Sequence, residues 1–216
     1  MSQVQVYYSN NPDNEGIALQ IGPGASLNDL LLAWQPLCDE SAYGKKYASN
    51  LDQSCRGCTH NCCDTAYVIP DLIAFKKLAG HLRCTFKALL GNYFQPEKRD
   101  IGLLRMIPNP CVFLHNRLCS IYPIRSLICR FYLCSTLRGD TEQLIYYISS
   151  LGMTATHVFA RQEGLLAEKP GTISSMDRLF LELFKKYSSD PLLQYFLDAE
   201  EYEEIPLYPF VKRARL

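Results

Sequence analysis

Apolar and polar positions alternate near the N-terminus and take on a helical spacing soon after it. Residues 3–8 alternate, and residues 17–21 form a second largely apolar run, with turn-forming residues between the two. Alternation flanked by turn formers predicts a short β-hairpin. The next periodic segment follows Ser26, a favourable helix cap, and its apolar residues at i, i+3, i+4 and i+7 predict a helix. These are Leu27, Leu30, Leu31 and Trp34.

Helical spacing returns after residue 70. Pro70 and Asp71 are suited to begin a helix that Gly80 ends, and a second helical stretch covers about residues 81–94. Residues 95–110 contain three prolines and a glycine, which predicts a connection.

The C-terminal third also has a helical pattern. Asp140 with Gln143 predicts a capping box at the start of a long helix, in which Gly152 could form a kink. Ser174 with Asp177 predicts a second capping box. Asp190 and Pro191 precede a third helix. The pattern as a whole predicts a mainly α protein with a short N-terminal β-hairpin.

Length, composition and charge restrict the function. The 216 residues are 48% hydrophobic, which is enough for a substantial core without disulfides. Lys plus Arg and Asp plus Glu number 22 each, so no net charge indicates a nucleic-acid partner. No apolar run is long enough for a membrane span. The N-terminus lacks the basic and apolar parts of a secretory signal, and we expect a soluble cytoplasmic protein.

Eight of the ten cysteines lie in two blocks, and they are the candidate chemistry of the chain. Four thiols within nine residues are too crowded to be explained by packing alone. In a reducing compartment such patterns indicate metal ligation more often than disulfides. The predicted ligands are Cys55, Cys58, Cys62 and Cys63 in the first block and Cys111, Cys119, Cys129 and Cys134 in the second. Cys38 and Cys84 stand alone, and we predict buried thiols there.

The residues alone leave the metal open. Zinc would take four thiolates in a closed tetrahedron, so each block could form one zinc site. Adjacent cysteines argue against one site per block, because neighbouring side chains diverge in an extended backbone. The blocks could instead surround a shared centre, and an iron-sulfur cluster accommodates more separated attachment points. His60 and His115 lie within the blocks as polar loop residues or alternative ligands. A turn at residues 115–117 would bring Cys111 near Cys119. Several arginines could offset the thiolate charge: Arg56, Arg117, Arg125, Arg130 and Arg138.

The cysteine pattern resembles the YkgJ-type cysteine-cluster family of zinc- or iron-chelating domains. The shared pattern is a C-x2-C-x3-C-C block followed by C-x-F-L, C-x-I-Y, an arginine and C-R-[FY], over roughly residues 50–135. Its matches beyond the ligands are Phe113, Leu114, Ile121, Tyr122, Arg125, Arg130 and Phe131. Ser126 stands where the family often has proline, and Cys134 lies outside the core pattern.

The resemblance extends in motif to a flagellin lysine N-methylase, which is associated with an iron-sulfur cluster and S-adenosylmethionine. The x2-then-x3 spacing is the reverse of the triad of radical S-adenosylmethionine enzymes, and the chain has no G-x-G-x-x-G loop. The resemblance therefore implies metal binding first. Cluster-dependent group transfer with S-adenosylmethionine, or a zinc-stapled module for protein interaction, are the alternatives.

Together these observations predict a small irregular helical domain organised around a cysteine-ligated metal centre. We expect a hairpin extension at residues 1–25, a metal-binding core at 26–139 and a helical lobe at 140–216. An iron-sulfur cluster, 4Fe-4S by preference, is favoured slightly over zinc. Arg125 and Arg130 are the predicted contacts to the cofactor, and the sequence identifies no protein partner.

Overall fold

The computed structural model describes residues 3–11, 13–40, 62–167, 169 and 171–214, and within these ranges the protein is mainly α. Strands β1 (Val4–Ser9) and β2 (Gly16–Ile21) form the predicted antiparallel hairpin, with Val4 opposite Ile21. A second, smaller hairpin pairs β3 (Leu114–His115) with β4 (Leu118–Cys119). The predicted fold class is confirmed.

The helices of the described chain are short except for one of 24 residues. In chain order they are α1 (Leu27–Asp39), α2 (Cys62–Thr65), α3 (Leu72–His81), α4 (Phe86–Tyr93), α5 (Pro96–Asp100), α6 (Leu127–Phe131), α7 (Gly139–Gln162), α8 (Ser175–Tyr187), α9 (Leu193–Asp198) and α10 (Tyr208–Ala214). Two 3-10 turns cover Tyr122–Ile124 and Tyr202–Glu204. No helix in these ranges is both long and apolar enough to cross a membrane.

Side chains cap the helices where local sequence predicts it. Ser26 and Ser174 each accept a hydrogen bond from the third backbone N–H of their helix, and an aspartate completes the capping box. Two expectations are wrong. Pro96 begins helix α5 inside the predicted connection, because proline suits the first helical position. Asp140 lies within α7 and pairs with Arg138, so it is not the N-cap.

The described residues belong to two compact units, each assembled from separated segments. The first unit takes Met1–Thr59, Arg130–Ile148 and Ala199–Leu216, and the second takes His60–Cys129 and Ser149–Asp198. The division of the chain at residues 25 and 139 stays a prediction.

The first unit joins the N-terminal hairpin and α1 to the C-terminal segment. Backbone hydrogen bonds run from Leu27 N–H to the carbonyl of Ile205 at 2.8 Å and from Leu207 N–H to the carbonyl of Ala25 at 2.8 Å. The Trp34 ring is buried and meets another aromatic ring edge-on, with centroids 5.7 Å apart. Cys38 is buried as predicted, and its thiol donates to a backbone carbonyl at 3.4 Å.

The second unit has an aromatic core between α3, α4 and α7. The rings of Phe75 and Phe86 stack with centroids 5.2 Å apart, and Phe159 of α7 meets Phe86 edge-on at 5.3 Å. A neighbouring apolar cluster lies beneath α8. Its buried members are Ile69, Ile101, Leu103, Met153 and Phe184.

Gly152 lies in the continuous helix α7 where that helix approaches the start of α3. A Cβ at this position would lie 2.6 Å from the Cβ of Asp71 and 3.2 Å from a ring carbon of Phe196. The glycine expected as a kink therefore permits close packing between elements, because only a residue without a side chain fits there.

An ionic network ties α8 to two other segments of the second unit. The Asp177 carboxylate is fully buried and accepts hydrogen bonds from Lys98 Nζ at 2.7 Å and from the Tyr67 hydroxyl at 2.6 Å. It also accepts from the backbone N–H and hydroxyl of Ser174. Burial alone would raise its pKa, but these donors, Lys98 foremost, outweigh burial and hold the pKa of Asp177 well below its usual range.

Replacing Gly152 with alanine should destabilise the protein by about 1–3 kcal/mol, because the added methyl group overpacks a close contact. Alanine normally gains about 1 kcal/mol over glycine inside a helix, so the sign of the change is diagnostic. At Gly91 of α4 an added methyl group would meet no described atom within 4 Å, and Gly91→Ala is the matched control. Chemical denaturation measures both, and a more stable Gly152→Ala variant would contradict the packing account.

Asp177→Asn should lower the free energy of unfolding at pH 7 by about 3 kcal/mol, because it leaves Lys98 without its charge partner. The wild-type carboxyl has a lower pKa in the folded than in the unfolded state. The carboxylate of Asp177 therefore makes its full contribution to the free energy of unfolding above about pH 4, and this contribution is lost as the pH falls toward the folded pKa. The gap between wild type and variant should shrink below pH 4 in urea titrations, whereas exposed Asp198→Asn should change little. A gap that is constant from pH 7 to pH 3 would refute the assignment.

Candidate metal centre

The structure describes six of the eight predicted cysteine ligands. Cys55, Cys58 and His60 lie outside the described residues, as does Arg56. The first block is therefore represented by Cys62 and Cys63, which begin and continue α2. The described cysteines of the second block are Cys111 before β3, Cys119 in β4, Cys129 in α6, and Cys134.

A backbone hydrogen bond joins the two blocks directly. The N–H of Cys111 donates to the carbonyl of Cys63 at 2.9 Å, although 48 positions separate them in the chain. The hairpin that follows returns the chain, since Leu114 lies opposite Cys119. Asn116 and Arg117 adopt φ angles of 49° and 63° at its turn. The predicted turn that brings Cys119 back toward Cys111 is confirmed.

The Cys62 and Cys63 thiols interact as a pair. The Cys63 thiol donates a hydrogen bond to the sulfur of Cys62, which lowers the pKa of Cys62 to about 6 despite partial burial. The same bond, with burial and the charge of Cys62, raises the pKa of Cys63. The pair therefore gives up its first proton readily and its second with difficulty.

The second-block thiols of Cys111, Cys119 and Cys129 interact electrostatically with this pair or with one another. Charges on Cys111 and Cys129 would raise the pKa of Cys63, and a charge on Cys111 would raise the pKa of Cys119. Burial raises the pKa of Cys129 to about 12, although the Ser126 hydroxyl donates a weak hydrogen bond to its sulfur at 3.8 Å. Electrostatic interactions thus link five cysteines of both blocks to one another.

Arg125 supplies positive charge to this region. It is 7% exposed, and its guanidinium lies 3.9 Å above the centre of the Tyr122 ring. Its charge lowers the pKa of three cysteines in different elements, which are Cys62, Cys119 and Cys129. A guanidinium stacks on an aromatic ring through its planar face.

The remaining candidates occupy other places. The Arg130 guanidinium lies 5.8 Å from the Tyr202 ring centre, within the first unit, so a cofactor contact for Arg130 stays a prediction. Cys134 is exposed and also belongs to the first unit, and its place among the ligands likewise stays a prediction. In the second unit, His115 is exposed in the small hairpin, and Cys84 is half-buried in the turn between α3 and α4.

Asp71 holds the element that carries Cys129, a role that sequence reasoning missed. Its buried carboxylate accepts the N–H of Ala74 at 3.0 Å and thereby caps α3. Its second oxygen accepts the N–H of Leu127 at 2.8 Å, at the first residue of α6. The order Pro70-Asp71 before an apolar run signals the first of these bonds. Nothing local signals a partner 56 residues away.

The candidate donor set consists of thiols drawn from both cysteine blocks. Among the residues that the structure describes, no three Cys, His, Asp or Glu side chains lie close enough to hold one metal ion. Electrostatic interactions nevertheless link thiols of both blocks to one another and to the buried Arg125. In a 4Fe-4S cluster each thiolate binds a different iron atom, so the attachment points are more widely spaced than around zinc.

Comparison with known proteins gives a partial match. Residues 54–149 match the family model described as "CxxCxxCC: Putative zinc- or iron-chelating domain", a range that includes all eight predicted ligands. A stretch of 86 residues is 34% identical to "Uncharacterized protein MJ0661" of Methanocaldococcus jannaschii. It covers 39% of this chain and 46% of that protein, so the chain spans about half the relative's length. No solved structure matches.

In the reduced, metal-free protein, iodoacetamide should modify Cys62 before Cys129. Cys62 is mainly thiolate at about pH 7.5, because its pKa lies near 6, whereas desolvation raises the pKa of the half-buried Cys129 thiol, which stays protonated. Mass spectrometry over a time course measures both rates. In urea, both should react with the pH dependence of an ordinary thiol, near pH 8.5. Faster modification of Cys129 in the folded protein would contradict the geometry.

Proposed function

We propose that this chain, whose residues 54–149 carry the zinc- or iron-chelating cysteine-cluster domain, holds an iron-sulfur cluster between its two cysteine blocks. The observation that supports the proposal is the backbone hydrogen bond that joins Cys111 to Cys63, together with the electrostatic interactions of thiols from both blocks with one another and with Arg125. The proposed ligands are drawn from Cys55, Cys58, Cys62, Cys63, Cys111, Cys119 and Cys129, with Cys134 as an outlying candidate. Bound there, a cluster would supply electron transfer or Lewis-acid chemistry.

The chemistry of the thiols favours metal over free cysteine. Burial raises the pKa of Cys111, Cys119 and Cys129, so these groups are protonated in the metal-free protein at neutral pH. A metal displaces those protons and neutralises the thiolates that burial otherwise disfavours. Because protons are released, metal affinity should fall as the pH falls. Metal binding should also be coupled to folding, because only the folded chain brings the ligands of the two cysteine blocks together.

Arg125 is the proposed contact of this chain to the cluster. Thiolates around an iron-sulfur core leave it anionic, and such centres are stabilised by nearby cations and hydrogen-bond donors. Arg125 is the buried cation whose charge acts on thiols from α2, β4 and α6. Tyr122 restrains the guanidinium by stacking. The same environment would also stabilise a zinc-thiolate site, which is the alternative that elemental analysis distinguishes.

Protein purified without oxygen should contain iron and acid-labile sulfide in matched amounts and should absorb visible light. Cys129→Ser should lose most of the metal and melt about 5–10 °C lower, because it removes a ligand and the stabilisation that bound metal provides. Cys84→Ser is the matched control, a half-buried cysteine of the same unit that belongs to neither cysteine block, and it should retain the metal. Elemental analysis, sulfide assay and thermal melting provide the measurements.

Two results would count against the proposal at different levels. Stoichiometric zinc without sulfide would refute the iron-sulfur cluster and leave a chelating domain. Wild-type protein without any stoichiometric metal, and with a melting temperature unchanged by chelator, would refute the metal centre itself.

A further inference from the structure

Two hydrogen bonds of the second unit connect the first cysteine block and the segment after it to the second block. One is the backbone bond from Cys111 N–H to the Cys63 carbonyl. The other is the bond from Leu127 N–H to the carboxylate of Asp71. The first fixes the entry to the β3–β4 hairpin, and the second fixes the start of α6. The sulfur of Cys129 lies on α6, two residues beyond Leu127.

The Asp71 bond is the stronger constraint of the two. Asp71 is 1% exposed, so its hydrogen bonds do not compete with bulk water. Its charge also lies at the N-termini of both α3 and α6, where the helix dipole favours an anion. Helix α6 has five residues, and a helix of that length is not stable by itself. Its orientation therefore depends on what anchors it.

Helix α7 keeps Asp71 in place from the opposite side. The Thr156 hydroxyl donates to the carbonyl of Pro70 at 2.8 Å, immediately before Asp71. Gly152, one turn earlier in α7, lets the helix backbone approach the Cβ of Asp71. A Cβ at Gly152 would also lie 3.5 Å from a side-chain carbon of Leu127, so Leu127 lies near the same point of α7. The carboxylate is thus held by packing as well as by its hydrogen bonds.

We propose that Asp71 is a positioning residue of the metal centre, which acts through Leu127 to set the orientation of Cys129. The carboxylate need not touch metal or cluster. It holds the N-terminus of α6 against α3 and so fixes the approach of Arg125 and Ser126, which precede α6, and of the thiol within it. The inference rests on the proposed function, and it assigns to an acidic side chain outside the cysteine motif a share in assembling the site.

Two variants separate this role from ordinary helix capping. Asp71→Ser keeps a good N-cap for α3, because serine caps helices well. Its single short hydroxyl cannot also accept the N–H of Leu127, so the bond between α3 and α6 is lost. Thr85→Ala removes the hydroxyl that caps α4 in the same unit and leaves α6 untouched. Thr85→Ala is therefore a control that loses a cap and keeps the bridge.

With metal-loaded protein, Asp71→Ser should release metal to a chelator about 10-fold faster than wild type, the scale typical of losing a supporting partner of metal ligands. Thr85→Ala should release it at the wild-type rate, even though its melting temperature falls. Release from Asp71→Ser at the wild-type rate would overturn the proposal, as would equal acceleration in both variants, since that would show a general effect of stability.

Alkylation of the metal-free protein tests the same role independently of metal. Once α6 is released, Cys129 should react with iodoacetamide several-fold faster in Asp71→Ser than in wild type or Thr85→Ala. An unchanged Cys129 rate would reject the positioning role. A further outcome is that wild-type protein binds no metal while Cys129 reacts faster only in Asp71→Ser. That result would reject the proposed metal centre and would support the control of Cys129 by Asp71.

Discussion

The buried carboxylate of Asp71 holds the starts of two helices at once, and the arrangement of the second unit follows from that constraint. One oxygen caps α3 and the other receives the N–H of Leu127. A buried anion is costly unless hydrogen-bonded, and two helix N-termini supply both donors and favourable dipoles. Gly152 then brings α7 against the same point. A small number of short-range contacts thereby fixes elements far apart in sequence.

The thiols lie in an environment that combines partial burial with a nearby buried cation. Burial raises the pKa of several of them, whereas a buried guanidinium, that of Arg125, favours the thiolate form of Cys62, Cys119 and Cys129. These opposing influences are reconciled when a cation binds the sulfurs, because the thiolate charge is then neutralised at its source. The protein provides a cation and donors around the region, and the metal would provide the remaining positive charge. Folding and metal binding are coupled on this account.

Local chemistry accounts for the parts of the fold that sequence predicts. Ser26 caps its helix because the cap and its partner are three residues apart, and Asp71 is recognisable as a helix start for the same reason. The bond from Asp71 to Leu127 has no local signal, since only the packed structure brings the two together. The prediction for Asp140 is wrong because a neighbouring arginine competes for its carboxylate. The spacing of the cysteines predicts that their thiols form one group, whereas no sequence signal identifies the supporting residues outside the motif.

The central claim is that cysteines of both blocks share one extended centre. X-ray absorption at the iron edge of anaerobically purified protein examines this most directly. The account predicts a shell of sulfur at about 2.3 Å, with a second, metal–metal distance that only a cluster produces. A shell of oxygen and nitrogen without sulfur would contradict it, because such a metal would be bound away from the thiols.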